Sequence, residues 1–588
     1  MNSQTVLLGA KPPETRAHGG GVRGAVASRR SPQFEGRFGR IFRTLPPADF
    51  GLKELEALAA VGKMSARPET VRGKPSAAVE DESSAFHDAE ENTGIAAGYT
   101  YFGQFIDHDI TFDPASSLVK LNDPDGLINF RTPRLDLDSL YGRGPDDQPY
   151  MYTSDGRRFL LGRALTADGT PTTSRDLPRH TWTENPERLQ NEGGPKTFDR
   201  ALIGDKRNDE NVIVSQLHGA LMQLHNRFAD EFSNASFAEL QRLVRWHYQW
   251  VVLHDFLPTI VGKDLVHSIL PHLQSGKSPV EDKPQLRFYH PRDASFMPIE
   301  FAAAAYRFGH SMVRPIYRLN TQLKGGEKQE ATADEIERGL EGRFFVFAGV
   351  SQRALNGFRA FPAKWAIDWS LFFDIGGSGQ RVGAARVQPS YKIDASLVNP
   401  LAFLPEFSHT SNKKQRPLTL KSLQPRPLSG AIQNLAERNL KRGLFMSLPS
   451  GQDVAEAMGE SPLADADLLI EKSTFEDQFG KSRPQRLTDV STTFAGRAPL
   501  WFYVLAEASA QWRAEVTRQR KTGDDADRVG VRLGPVGGRI VAETLIGMLI
   551  GDSHSFLSQK PRWQPSIQPG ASNRPLSVGD LIAYALRL

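Results

Sequence analysis

The stretch Gly98-Tyr-Thr-Tyr-Phe-Gly-Gln-Phe-Ile-Asp-His-Asp-Ile-Thr-Phe-Asp-Pro114 decides how the rest of the chain is read. Its first part has helical periodicity, with Tyr101, Phe105 and Ile106 as apolar anchors and Pro114 as the stop. At about 100° per residue, Gln104 and His108 share a face and Asp107 lies beside them. Asp109 falls roughly 200° round from Asp107, so the two carboxylates point apart. A helix built this way is able to serve two sites at once. The same pattern also describes a hydrogen-bonded core histidine flanked by helix-end acids, and this stretch alone does not choose between them.

The chain has 588 residues, no Cys, and 72 basic against 68 acidic residues for a net charge of +4. Without Cys there are no disulfides, thiolate ligands or cysteine nucleophile, which fits a reducing compartment. The balanced charge gives no basic field, and no zinc-finger or RNA-binding motif is present, so nucleic acid is not an expected partner. Residues 1–33 read as a flexible arm without the apolar run of a secretory signal. No window approaches about 18 apolar residues, so no membrane span is expected. Any export would then need a route without such a signal.

Outward from the opening helix, Phe34 to Phe50 carries enough apolar residues to pack on the body, and Leu52 to Met64 reads as a short amphipathic helix. Ser65 to Asn92 is loop-like. After Pro114, the stretch Asn129 to Gly142 places Thr132, Asp136 and Asp138 close together on a loop. Such hard oxygen donors suit calcium, with Asp109 and the Arg134 carbonyl as further ligands. An acidic turn without an ion has the same composition. Residues 143–200 read as loops with a β-hairpin around Tyr152 to Leu165.

Two long helices follow, Val212 to Phe232 and Phe237 to Leu257, the second ended by Pro258. Their histidines, among them His218, read as packing or hydrogen-bonding residues. Glu300 to Val313 is an Ala-rich helix carrying Arg307 and His310 one turn apart. Asp334 to Leu340 and the aromatic Trp365 to Phe373 read as further helix. Asn434 to Gly443 is a helix closed by Gly443, and another begins at Asp453. Leu500 to Trp512 and Gly538 to Leu549 should fill the core. Strands are few and no repeat is visible, so the architecture is mainly α with one domain over residues 34–588.

A haem site needs an axial His and has room for a second His above the open face. Cleaving peroxide needs a base and a cation to hold charge on the departing oxygen. His108, His310 and Arg207 are the residue types for those roles, but spacing does not bring them together.

The ordered set of motifs resembles the animal-type haem peroxidase family, over roughly Phe34 to Phe556. That resemblance implies a multi-helix fold with haem b buried between core helices. It implies that His108 is the distal base, that Gln104 orients halide or water, and that Asp107 ester-links to haem. Asp109, Thr132, Arg134 by its carbonyl, Asp136 and Asp138 become calcium ligands, with Asp138 at a place often held by Ser. Arg207-Asn-Asp-Glu210 is similar to the family's Arg-x-x-Glu, making Arg207 the distal arginine and Glu210 the second ester residue. Arg307-Phe-Gly-His310 resembles the proximal segment, with His310 as iron ligand and Arg307 near a propionate. Asn439-Leu-Lys-Arg442 resembles the segment whose Asn accepts the proton of the proximal His, with Arg442 close to haem.

Asn211 follows Glu210 where one branch of the family has a Met bonded to haem through sulfur. That link cannot form here, so bromide, iodide, thiocyanate or aromatic donors are expected over chloride. The resemblance further implies hydrogen peroxide as oxidant, a role in oxidative stress, and export, which the missing signal does not match. The competing expectations are a fatty-acid dioxygenase of the cyclooxygenase-like branch and a non-catalytic haem- and calcium-binding protein. Against the first, Arg307 stands where that branch has its radical-forming Tyr, and Tyr306 is one residue off.

Overall fold

The structure is a computed structural model that describes residues 36–61, 88–113, 127–183, 197–291, 295–323, 343–345, 354–375, 385–398, 401, 408–409, 426–427, 432–480, 484–569 and 574–588. The arm at 1–33 and the helix expected at Asp334 to Leu340 lie outside them, as does nearly all of the loop expected from Ser65 to Asn92. Among the described residues helices predominate, and the strands are short two- and three-stranded pairings.

The opening helix runs Ala97–Ile110. It starts without a side-chain cap: the Ala97 and Gly98 amides donate to the carbonyls of Gln388 and Phe372 at 2.8 and 2.9 Å, so tertiary partners satisfy its first donors. Gly98 is required there, because a Cβ would lie 2.4 Å from the Phe373 ring. Tyr101, Phe102, Phe105, Ile106, His108, Asp109 and Ile110 are all buried, while Tyr99, Gly103, Gln104 and Asp107 are half-buried and form the one less covered stripe. It packs on helix Val212–Glu231, on the 3₁₀ turn Lys206–Asp209, on the short helix Asp138–Tyr141 and on the 3₁₀ turn Ala305–His310. The segments bearing Arg207, His310 and the acidic loop therefore meet on one helix.

Helix Val212–Glu231 is capped by Asn211, whose Oδ1 accepts from the Ile213 and Val214 amides at 3.1 and 2.9 Å. Helices Leu500–Gln519 and Pro535–Gly551 exceed their expected spans and cross closely; a Cβ on Gly537 would lie 2.5 Å from Val504. Strand Gly36–Gly39 pairs antiparallel with Ile128–Asn129 and parallel with Met297–Pro298, and Phe38, Phe42 and Phe50 are buried. One contiguous apolar core runs from Phe38 to Leu586.

Several boundaries differ from expectation. The amphipathic helix ends at Ala59. The hairpin is Ala164–Ala167 with Thr170–Arg175, while Tyr152 makes only an isolated bridge to Phe159. Pro258 does not end its helix. A π-helical turn at Val252–Phe256 leads into helix Leu257–Val261, and there Pro258 sits in the first turn, where its missing donor costs nothing. Trp365 to Phe373 is helical only as the 3₁₀ turn Trp369–Leu371, because Trp369 and Phe372 insert into the core. Gly443 lies inside helix Leu435–Phe445 rather than closing it. The Ala-rich segment is not one helix: Ile299–Ala302 is α-helical, and a break at Ala304 leads into the 3₁₀ turn Ala305–His310.

Candidate active site

His108 sits one turn from the end of the opening helix and is buried. Its Nδ1 lies 2.8 Å from Asn208 Oδ1, so Nδ1–H donates and Nε2 is left as the lone-pair nitrogen. Nε2 has no hydrogen bond among the described residues. Burial first, and then the adjacent Arg207 charge, push the imidazole pKa down to about 4, so the ring is neutral at ordinary pH.

Arg207 is held from three sides. Its Nη2 donates to the His108 carbonyl at 2.9 Å and to Asp205 Oδ2 at 2.7 Å, and its guanidinium lies 4.7 Å from the Phe112 ring centroid. Asp205 also caps the turn by accepting from the Arg207 amide at 2.8 Å. Burial alone would raise the Asp205 pKa, but Arg207 and Arg131 outweigh it and hold the carboxyl well below the usual range. Nη1 of Arg207 carries no hydrogen bond among the described residues.

Gln104 bridges the helix to the next motif residues. Its Nε2 donates to Glu210 Oε1, and its Oε1 accepts from Asn211 Nδ2 at 3.2 Å. Asn211 thus caps one helix and orients Gln104. Asp107 accepts from the Thr111 hydroxyl at 2.7 Å.

His310 ends the 3₁₀ turn Ala305–His310, which packs on the same opening helix. Tyr306 donates to the Gly103 carbonyl at 3.2 Å, and Trp501 Nε1 donates to the Arg307 carbonyl at 3.3 Å. Burial, then Arg307, pushes the His310 pKa down to about 3, leaving a neutral imidazole fit for a metal. The orientation of Asn439 differs from expectation. Its Nδ2 faces His310 Nδ1 at 2.8 Å, while its Oδ1 accepts from Arg307 Nη1 at 3.0 Å. The cause is that a guanidinium offers only donors, so the amide must turn its oxygen to Arg307.

Arg307, Arg438 and Arg442 face one another closely enough that burial and the other two charges lower the Arg307 pKa to about 10. Asp107 acts on Arg307 in the opposite sense, which places the residue before His108 within electrostatic reach of the His310 turn. Arg442 pairs with Asp113 at 3.1 Å. Two neutral imidazoles with Nδ1 engaged, beside three guanidiniums, are a donor set that fits an iron porphyrin with its propionates.

Opposite His108, the Asp109 carboxylate turns into the acidic loop. It accepts from the Leu137 and Ser139 amides at 3.1 and 3.3 Å. Carboxylate oxygens of Asp109, Asp136 and Asp138 lie within 4.8 Å of one another, and the Thr132 hydroxyl donates to Asp136 at 2.7 Å. Burial and the neighbouring carboxylates raise the pKa of Asp109, and that of Asp138 to about 7. Three mutually repelling carboxylates, those of Asp109 and Asp136 buried and that of Asp138 half-buried, with Leu137 in a left-handed turn between two of them (φ 62°), fit a hard cation.

Four residues here were not singled out from sequence: Asn208, Asp205, Phe112 and Arg131. Asn208 lies inside the Arg-x-x-Glu motif, which was the available signal. His218, expected to pack or hydrogen-bond, does both: it lies against Phe105 and meets Asn208.

The family model "Animal haem peroxidase" matches residues 116–337, a span holding Arg207, Glu210 and His310 but not His108 or Asn439. A peroxidase-like protein of Margaritifera margaritifera is 27% identical over 263 residues, 37% of this chain and 32% of the relative. Human eosinophil peroxidase is 28% identical over 177 residues, 28% of this chain and 22% of the relative. The chain therefore spans a third or less of the length of these curated relatives. A solved fatty acid alpha-dioxygenase of Arabidopsis thaliana superposes with a TM-score of 0.47 at 13% identity, covering 92% of this chain and 76% of that one.

Proposed function

We propose that this chain, whose residues 116–337 match the animal haem peroxidase family model, is a haem-dependent peroxidase that reduces hydrogen peroxide and oxidises small donors. The supporting observation is His108, neutral, with Nδ1 occupied and Nε2 open, gripped by Arg207 through its own carbonyl. Haem supplies the redox chemistry at which the O–O bond is cleaved. His108 Nε2 accepts the proton of hydrogen peroxide and returns it to the departing oxygen. Arg207, with Nη1 uncommitted, holds the charge that gathers there. Gln104 orients the incoming molecule.

His310 would hold the haem iron through its free ring nitrogen. Its proton then belongs on Nδ1, and Asn439 must present its oxygen. Arg307 and Arg442 would hold the propionates, and an Arg307 so engaged would leave the Asn439 oxygen free for His310. Asp107 and Glu210 would be the ester-forming carboxylates. Asp109, Thr132, Asp136, Asp138 and the Arg134 carbonyl would hold calcium. Aromatic compounds, bromide, iodide and thiocyanate are the proposed donors, because Asn211 supplies no thioether. The dioxygenase reading is disfavoured because Tyr306 commits its hydroxyl to the Gly103 carbonyl.

The test is an absorption spectrum of purified protein before and after peroxide, followed by acid–solvent extraction of haem. The expected result is a Soret band that changes with peroxide and haem that stays with the protein. His108→Ala and Arg207→Ala should keep haem and slow the peroxide reaction by orders of magnitude, about 10²-fold or more for the base. An unchanged rate in both would overturn the assignment.

A further inference from the structure

The hydrogen bonding behind His108 continues one residue deeper. Asn208 is fully buried, and its Oδ1 faces His108 Nδ1 while its Nδ2 lies 3.1 Å from Nδ1 of His218. His218 is fully buried on helix Val212–Glu231, edge-on to Phe105 at 6.0 Å. Its Nε2 has no hydrogen-bond partner among the described residues.

An amide has one accepting and one donating end, so these bonds are locked together. While Asn208 donates to His218, the His218 proton sits on Nε2 and the Asn208 oxygen is left for His108. The proton of His108 is then held on Nδ1 and the lone pair on Nε2. Turning the amide over would reverse every bond: Asn208 would donate to His108, whose proton would move to Nε2, where it could no longer act as a base. The orphaned His218 Nε2–H is a buried unsatisfied donor, which calls for an explanation. It is the counterpart of keeping His218 Nδ1 as an acceptor.

We infer that Asn208 and His218 are positioning residues, the amide reading the His218 tautomer and imposing on His108 the tautomer that serves as base. The inference rests on the peroxidase reading for its kinetic consequence but not for its tautomer. The charged and titratable groups facing His108 are Arg207 and Asp205 on the 3₁₀ turn, Asp107 on its own helix, and His218.

The experiment has two arms on full-length protein. The first records ¹⁵N-histidine spectra with and without haem, His108 being assigned from the His108→Ala spectrum. Proton on Nδ1 of His108 and on Nε2 of His218 is expected. A His108 proton on Nε2 in the haem-free protein would overturn the inference whatever the activity.

The second arm measures the peroxide rate against pH. Asn208→Asp keeps an acceptor for His108 and adds a charge, so the acid limb should move to higher pH by at least about one unit. His218→Phe keeps the packing and frees the amide, so the rate should fall roughly tenfold, about the worth of one hydrogen bond. His218→Gln, which still offers an acceptor, should restore most of it. Wild-type pH profiles in Asn208→Asp and an unchanged rate in His218→Phe would reduce both residues to packing. If the wild type itself shows no peroxide reaction, the peroxidase reading fails and the spectra alone decide the tautomer. Should Asn208→Asp fail to fold, the two His218 variants carry the same decision.

Discussion

Asp205 Oδ2 takes a hydrogen bond from Arg207 Nη2 at 2.7 Å and, on the same oxygen, one from Arg131 Nη2 at 2.6 Å. Arg131 also reaches Asp138 of the acidic loop at 3.4 Å. A line of alternating charges, Asp138–Arg131–Asp205–Arg207, therefore joins the candidate cation site to the guanidinium over the candidate haem site. Asp205 is buried between two cations, and removing it leaves Arg207 without its carboxylate and Arg131 with Asp138 alone. Asp205→Ala should cost about 3–5 kcal/mol of stability. It should also slow the peroxide reaction, because Arg207 loses its anchor. Urea unfolding and stopped-flow absorbance check the two effects separately.

The rate of the peroxide step should depend on pH through His108. Its pKa is pushed down to about 4 by burial first and Arg207 second. Only the neutral ring accepts a proton, so the rate should be flat from neutrality down to about pH 4. Below that it should fall about tenfold per unit. Arg207→Gln removes a charge that lowers this pKa, so its acid limb should lie at higher pH. A limb that stays in place would mean that another group titrates.

Calcium should stabilise the protein by binding the Asp109, Asp136 and Asp138 carboxylates. At one hundred times the dissociation constant the gain is about 2.7 kcal/mol, read as a rise in Tm that chelator reverses. Asp138→Asn removes one repelling charge. It should abolish most of the calcium-dependent rise without lowering the Tm of the chelated protein. A large fall in chelator would show instead that Asp138 is needed for its pairing with Arg131.

Asn211→Ala should lose the cap of helix Val212–Glu231, costing about 1 kcal/mol. It also releases Gln104 Oε1, so halide-dependent turnover should change along with the chemical denaturation midpoint. A shift in stability with donor kinetics unaltered would separate the cap from the site.

His310→Ala should lose iron ligation, seen as a collapsed Soret band with the far-ultraviolet dichroism retained. Asn439→Leu should keep haem more weakly bound and shift the iron's reduction potential, because the ring loses its partner. Unchanged haem affinity and potential in both variants would move the iron ligand elsewhere.

Local chemistry was legible in the sequence. The 3.6-residue period located the helix bearing Gln104, Asp107, His108 and Asp109, and the pairs Arg207–Glu210 and Arg307–His310 each span a single turn. The apolar runs around Leu500 and Ile546 marked core helices, because burial on all sides demands them. The clustering of Thr132, Asp136 and Asp138 was equally plain, since neighbours in a loop cannot be far apart. What tertiary structure alone decided are contacts between residues distant along the chain. His108 and Asn208 are 100 positions apart, and His310 and Asn439 are 129 apart, so no periodicity links them. The same holds for the break that turned an expected helix into the 3₁₀ segment of His310, and for the direction of the Asn439 amide. Hydrogen-bond direction depends on which donors and acceptors surround a side chain in space, and that set exists only once the helices have packed.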